Sequence, residues 1–576
     1  MGGKGFGVVG VIALAATFGL SAGGPARAGT EAGTTAGPAR WFPDRPVAWY
    51  EHDDGDVREA PPADHISDLQ ATLAIRDGLA NEIDRFLSLE GPRPALDVNA
   101  MDEVTCSTWF YARNHLDPLT LDEIAAGATD PPPRLPLTIT KGKDLGDSIG
   151  FQVLDAGGRK FLLKFDPEGH LGMNSAGEIV GGRVLHAAGY NVPGSYLVDL
   201  GAADLLVSPR ATYMLYLVQK RRLTADIARR RLAHAARLPD GRLRAVAVDW
   251  IGGKVIGAFD MKGTRTGDVN DRIPHERRRS LRASRLLFDW LSLFDAGPAN
   301  TIDSYVQEDG RHYVRHYFVD FDNAFGSSAN GPQGLTHDGE YAPEVGRTFA
   351  SLLSFGLYQR PFQRRRDEYE LMQRDYPAVG YFPADSYNPD DFRTNRKNPA
   401  FVRMTDRDAY WGAKVVTSFS NEQIAALVAA AGLFEPDASF ATRALRVRRD
   451  ILGRRYLRPM AGVEAPTRAD DGAAVCFTDL AIARGYVAPA EARYAVATGD
   501  GTGRVLSRFE RAPAGARTCL PLGPDDGTGY RIVEVRTRLA GGASGPPEAH
   551  GKAARIHLRW RPAERRFVVV GLDREE

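Results

Sequence analysis

Phe294-Asp295-Ala296-Gly297-Pro298-Ala299-Asn300, followed by Val319-Asp320-Phe321-Asp322, is the stretch on which the reading of this chain turns. One carboxylate and one carboxamide sit on a short Gly/Pro loop after a long amphipathic run, and a second carboxylate closes an apolar strand. Oxygen donors of this kind suit a magnesium ion and the phosphates it carries. Phosphoryl transfer asks little covalent chemistry of a protein. It needs a base or orienter for the attacking hydroxyl, oxygen ligands for Mg²⁺ and a cation on the phosphates.

A cation stands upstream. Leu137-Thr138-Ile139-Thr140, then Gly146 to Val153, then Lys160-Phe161-Leu162-Leu163-Lys164 read as strands joined by Gly-rich turns. The turn Asp155-Ala156-Gly157-Gly158 makes the last two a hairpin. With a period of two, Leu162 and Lys164 share a face, so Lys164 points into whatever that face lines. Glu178 opens the next segment, where Ile179, Val180, Val184, Leu185 and Ala188 recur as on a helix that stops at Gly189. Strand returns at Tyr196-Leu197-Val198.

Taken singly, a Lys on a strand is ordinarily a solvated face, and a Glu at a helix start serves the helix dipole. The order of all the parts gives them a joint reading. Strand, Gly-rich turn, strand with Lys, helix with Glu and an Asp-x-x-x-x-Asn loop followed by a strand with Asp resembles the protein-kinase-like superfamily. The resemblance is to its atypical HipA-like, CotH-like and lipid-kinase-like branches, in an exported bacterial member, and covers about residues 135 to 455. It implies an α+β fold whose two-lobed core has a β-rich N-lobe (135–260) and a helical C-lobe (261–460). It also implies ATP or another nucleotide with Mg²⁺ or Mn²⁺. In that frame Lys164 holds the phosphates and pairs with Glu178, Gly146 and Gly150 line the nucleotide, Asp295 orients the acceptor hydroxyl, and Asn300, Asp320 and Asp322 bind metal.

Three departures keep other readings open. Leu293-Phe294 precede Asp295 where the family has a His-Arg pair. The loop 296–299 has no Lys, Arg or His for the transferring phosphate. Asp322 stands where a glycine usually follows Asp-Phe, either as a loss or as an added ligand. The expectation is an exported phosphotransferase acting on an unidentified protein, glycan or small molecule; the alternatives are a pseudokinase and an extracytoplasmic binding or scaffold protein without catalysis.

The 576 residues suggest roughly three or four domains at about 150 residues each. The 73 basic residues balance 73 acidic ones, so no overall field draws in nucleic acid or an anionic membrane. Lys4, the apolar run Phe6 to Leu20 and Ala26-Arg27-Ala28 form a signal peptide (1–28) with a cleavage site near Ala28. The run is short of the roughly 20 residues of a membrane span. The mature protein is therefore expected in the periplasm or outside the cell, without a span. An oxidising compartment suits Cys476 and Cys519, placed to pair, with Cys106 left as a small buried residue.

Residues 29 to about 62 read as a flexible lead-in, and Ile66 to Leu89 as a helix of an N-terminal extension (29–134). The segment Val98 to Asn114, with Asn99, Asp102, Glu103, Trp109 and Arg113, is placed to clamp onto the next domain. Arg244 to Gly257 reads as a hairpin turning at Gly252-Gly253, and Pro274-His275-Glu276 as the start of the long helix that delivers Asp295. Residues 345 to 456 read as helical, Ser420 to Gln423 being a capping box. Gly462 to Asp471 reads as a linker. Beyond it, residues 470–576 alternate as the strands of a β-sandwich-like domain.

Overall fold

The computed structural model describes residues 41–63, 93–128, 131–143, 148–215, 219–334, 350–355, 357–358, 360, 363, 365–470, 472–523, 527–540 and 551–576. The expected signal peptide, the helix expected over Ile66 to Leu89 and Gly146 lie outside these residues. The fold is α+β, organised around three apolar cores: one under a mixed sheet, one among helices and one between two C-terminal sheets.

A capped single-turn helix, α1 (Leu121–Ala126), precedes the first sheet. That sheet contains β1 (Leu137–Gly142), β2 (Gly150–Leu154), β3 (Lys160–Phe165), β4 (Ser195–Leu200), β5 (Leu205–Leu215), β6 (Gln219–Arg222) and β7 (Leu243–Asp249), in the order β4-β7-β3-β2-β1-β5-β6. The β2–β3 hairpin forms as expected, with Asp155 accepting from the backbone of Gly157 and Arg159, both at 2.8 Å. Helix α2 (Met173–Ala188) crosses from β3 to β4. After β6 comes the short α3 (Ala225–Leu232), capped by Thr224.

The hairpin expected over Arg244 to Gly257 is not present. Its first arm, β7, lies between β3 and β4 and is buried along nearly its whole length. Its second arm, β8 (Lys254–Gly257), leaves for a different sheet and pairs with β9.

The second core begins at α4 (Arg279–Leu291), whose start is later than expected because His275–Arg277 form a tight 3₁₀ turn. Asp97 fixes that start: its carboxylate accepts from the Arg279 and Ser280 amides and from Ser280 Oγ, at 2.5–3.1 Å. A negative charge at a helix N-terminus is favourable. Then come β9 (Thr301–Glu308) and β10 (Arg311–Phe318), a hairpin of which only the second strand was legible. The short pair β11 (Ser327–Ser328) and β12 (Gly331–Pro332) is next, with α5 (Arg366–Asp375), α6 (Asp406–Val416), α7 (Asn421–Ala430) and α8 (Asp437–Leu457). The Ser420 capping box is formed, its Oγ accepting from Gln423 N at 3.1 Å.

The expected linker after Gly462 is instead strand β13 (Val463–Arg468), which starts the C-terminal domain. With β14 (Ala474–Asp479) and β17 (Arg517–Pro521) it forms one sheet, against which β15 (Ala492–Asp500), β16 (Val505–Arg511), β18 (Tyr530–Leu539), β19 (Ala554–Arg561) and β20 (Arg566–Arg574) form the other. Cys476 and Cys519 face each other across β14 and β17 and are joined as a disulfide.

The lead-in is also ordered where it is described. Phe42 is buried on the C-terminal sheet, where a Cβ on Gly571 would meet its ring at 2.4 Å, and Asp53 accepts from Thr108 N at 2.9 Å. The segment Val98 to Asn114, expected to clamp onto the next domain, touches it through Arg113, whose guanidinium donates to the His186 carbonyl at 2.7 Å, and also joins later parts of the chain through ion pairs. Buried Asp102 meets Arg279 of α4 at 2.9 Å, Arg407 of α6 at 2.8 Å, and Arg574 of β20. Glu103 pairs with Lys414, which reaches Glu464 of β13 at 2.6 Å.

Candidate metal and phosphate site

The alternation of β3 sorts its side chains as expected. Phe161, Leu163 and Phe165 enter the core beneath the sheet, while Leu162 packs toward the helical core and Lys164 points the same way. The Lys164 side chain is 2% exposed, and Nζ donates to Glu178 Oε2 at 2.7 Å and to Asp320 Oδ1, with Asp322 Oδ2 at 3.3 Å. Strand, helix and post-strand loop, distant in sequence, meet at this ammonium.

Glu178 arrives from the second turn of α2, not from its start. The helix begins at Met173 because buried Asp166 accepts from Gly172 N at 2.8 Å, Ser175 N at 2.7 Å and Ser175 Oγ at 2.9 Å. The same helix presents Gly177 and Gly181 to the segment carrying the aspartates. A Cβ on Gly181 would lie 2.6 Å from Phe321 Cβ, and one on Gly177 would lie 3.1 Å from the Asp322 carbonyl. Bare backbone on this face lets the loop press against the helix, so that Phe321 N donates to Glu178 Oε2 at 3.1 Å. This Gly-x-x-x-Gly spacing was the signal in the sequence that would have located the contact.

Asp320 follows β10 with φ 67°, a left-handed conformation that Asp tolerates better than most residues. Its side chain is 38% exposed, so the site opens to solvent at this carboxylate. Asn300 is tied to the loop that precedes it, its Nδ2 donating to the Asp295 carbonyl at 2.7 Å and its carbonyl accepting from Val319 N at 3.0 Å. That pairing holds the Asp295 loop next to the chain leading into Asp320.

Burial works against the Lys164 charge, but Asp320, Asp322 and Glu178 outweigh it and hold the ammonium protonated well above the usual lysine range. Burial also opposes the Asp320 charge, and Lys164, helped by Lys143, nevertheless draws that carboxyl down to about 2. Asp322 is pushed up by burial and then by Asp320, and Glu178 by burial, with Lys164 opposing. Asp295 is raised by burial and by Asp320. Three carboxylates around one ammonium leave excess negative charge. Glu178, Asp320 and Asp322 offer oxygens within 4.8 Å of one another, a hard donor set that fits Mg²⁺ or Mn²⁺.

Two sources of positive charge lie outside the sequence motifs. Lys143, on the segment before β2, donates to Ser148 Oγ and acts on both Asp320 and Asp322. It lines an open cavity of about 600 Å³ with Gly150, Glu168, Arg231 and Asn330, large enough for a nucleotide. Gly150 is there for a close backbone approach, since a Cβ would lie 2.9 Å from the Leu163 carbonyl. Arg396 and Lys397 line, together with the Asp295 loop, a second cavity of about 130 Å³. The Arg396 charge acts on Asp295, opposing the rise that burial and Asp320 cause, and its position carries no local motif that announces it.

No protein-family model and no curated protein sequence matches the chain. Among solved structures it is similar to the Helicobacter pylori proinflammatory kinase CtkA, at 12% identity over 56% of this chain and 95% of that one, with a TM-score of 0.30. It is also similar to the Golgi casein kinase with Mn/ADP bound, at 10% identity over 66% of this chain and 97% of that one, with a TM-score of 0.22. Overlap this slight identifies no family, so the functional reading rests on the geometry of the site itself.

Proposed function

We propose that the chain is an exported, kinase-like phosphotransferase that moves a phosphoryl group from a metal-bound nucleotide to an acceptor hydroxyl. One observation carries the reading: buried Lys164 is gathered with Glu178, Asp320 and Asp322, and the same acidic group acts on Asp295. Glu178 holds the ammonium in place for the nucleotide phosphates. Asp320 and Asp322, with Asn300 beside them, are the residues that would hold Mg²⁺ or Mn²⁺. When bound, that ion neutralises charge on the phosphates. Asp295 accepts the hydroxyl proton as the acceptor oxygen bonds to the terminal phosphorus and the bridging bond to the nucleoside diphosphate breaks. A carboxylate raised above its ordinary value is the better base for that proton. Export is supported by the leader-like first residues and by the Cys476–Cys519 disulfide, which persists in oxidising compartments.

The test is thermal denaturation of wild type and Asp320→Ala with ATP and Mg²⁺ or Mn²⁺. Stabilisation of wild type that needs both metal and nucleotide, and is lost in the variant, is the expected result. No metal–nucleotide stabilisation of wild type would sink the reading. Stabilisation without transfer to a broad panel of hydroxyl acceptors would leave a binding module in place of an enzyme.

A further inference from the structure

Strand β6 ends the seven-stranded sheet among the described residues, and all of its side chains are exposed. Leu223 N donates to the Ala211 carbonyl at 2.8 Å, and the register with β5 runs on from that pair through Arg222↔Thr212 to Gln219↔Leu215. Hydrogen-bonded and non-hydrogen-bonded pairs alternate in an antiparallel ladder, so Gln219 and Arg221 turn their backbone toward β5. Lys220 and Arg222 turn theirs outward, leaving N–H and C=O groups open along the edge. The charge there is of one sign. From Gln219 to Arg231 six basic residues stand against one acid, Asp226, in a chain whose charges cancel overall. Lys220, Arg222 and Arg230 are exposed and have no hydrogen-bond or ion-pair partner among the described residues. Arg229 meets Asp226 at 3.0 Å with the side chains 76% and 71% exposed, and a pair so open to water is held weakly. Arg221 and Arg231 are engaged, with Gln219 Oε1 at 2.8 Å and over the Tyr213 ring, and add only to the field.

We propose that this edge docks an acidic, extended segment of a partner protein, which joins the sheet as a further strand beside β6. The inference stands on the edge alone and does not rest on the phosphotransferase reading. Alternating N–H and C=O groups match another peptide backbone, whereas a phosphate surface only accepts hydrogen bonds and would leave the carbonyls unpaired. Neither β6 nor α3 exposes a large apolar side chain that a bilayer would take up. Lys220 and Arg222 share one face of the strand, so an acid at every second position of the incoming segment meets both. Arg230, on the helix that follows, extends the attraction. Charge on an edge also deters pairing with a copy of itself. The same cations therefore favour an acidic strand by attraction and refuse a second β6 by repulsion.

The full chain is titrated by fluorescence anisotropy with short labelled peptides in which Glu alternates with Thr or Val, in both phases of the alternation. Two control peptides are used on the unaltered protein: one with Gln for Glu, and one that is acidic but N-methylated throughout, so that it keeps its carboxylates and has no N–H to donate. We expect saturable binding of an acidic peptide that weakens with added salt. Affinity should fall by about tenfold or more in K220Q/R222Q, and likewise for both control peptides. The thermal midpoint of the variant should match wild type, because both side chains are exposed. Equal binding of the N-methylated peptide would rule out strand addition. Undiminished binding in K220Q/R222Q, or no saturable binding in either phase, would overturn the docking edge. Vesicles of phosphatidylglycerol and phosphatidylcholine are titrated alongside, and binding to these in preference to the peptides would overturn the proposal in favour of a lipid surface.

Discussion

Lys164 Nζ lies 2.7 Å from Glu178 Oε2, joining a strand of the sheet core to a helix of the second core. The pair is buried, and its ammonium also serves Asp320 and Asp322. Removing one partner of a buried ion pair leaves uncompensated charge and costs about 3–5 kcal/mol. Lys164→Met should therefore lower the denaturation midpoint, and millimolar Mn²⁺ should restore the variant more than it stabilises wild type. Equal effects of Mn²⁺ on both proteins would contradict the acidic group as a cation site.

The helix face beneath Phe321 gives a finer test. Gly181→Ala places a methyl 2.6 Å from Phe321 Cβ, whereas Gly182→Ala places one 3.5 Å from its ring. The first should cost about 1–3 kcal/mol, as overpacked sites do, and weaken metal–nucleotide stabilisation. The second should be neutral or stabilising, because Ala is the better helix former. Comparable thermal midpoints for the two variants would count against the contact.

Asp102 binds arginines from three separate elements, and its carboxyl is held well below the ordinary range because Arg279, Arg574 and Arg407 overcome its burial. Asp102→Ala should destabilise by about 3–5 kcal/mol and loosen the C-terminal domain, read as faster hydrogen exchange in β20. Asp44→Ala, removing a surface partner of Arg561, should stay within about 1 kcal/mol of wild type.

His186, near the end of α2, supplies a pH dependence. Burial, and then neighbouring Arg113, lowers its imidazole to about 4. The unfolded chain takes up that proton near pH 6.5, so this contribution to stability is complete above that value and is lost as pH falls toward 4. At pH 5 the loss is about 2 kcal/mol. Urea denaturation at pH 7.5 and pH 5 should show wild type losing that much more than His186→Gln; equal losses would assign the acid sensitivity elsewhere.

The disulfide closes a sequence separation of 43 residues, for which the chain-entropy relation gives about 4 kcal/mol. Reduction, or the double substitution Cys476→Ser and Cys519→Ser, should lower the thermal midpoint. Cys106→Ser should leave the response to reductant unchanged.

Local pattern determined much of this protein. The period of two in β3 set Lys164 on the face of Leu162, and the capping box at Ser420 began α7. These are properties of a few neighbouring residues and need no knowledge of what packs against them.

Tertiary structure decided the rest. Whether β7 joined β8 or entered between β3 and β4 depended on partners brought from elsewhere, so its buried strand read as half of a hairpin. Strand β13 read as a linker because its role is set by β14 and by Lys414, beyond the reach of a local window. The lead-in looked unstructured by composition, yet Phe42 and Asp53 are held by groups far along the chain. Lys143, Arg396 and Lys397 carry no motif, since a cation's role depends on which carboxylate the fold places opposite it. The glycine face of α2 meets Phe321, likewise a contact between segments that sequence order alone does not bring together.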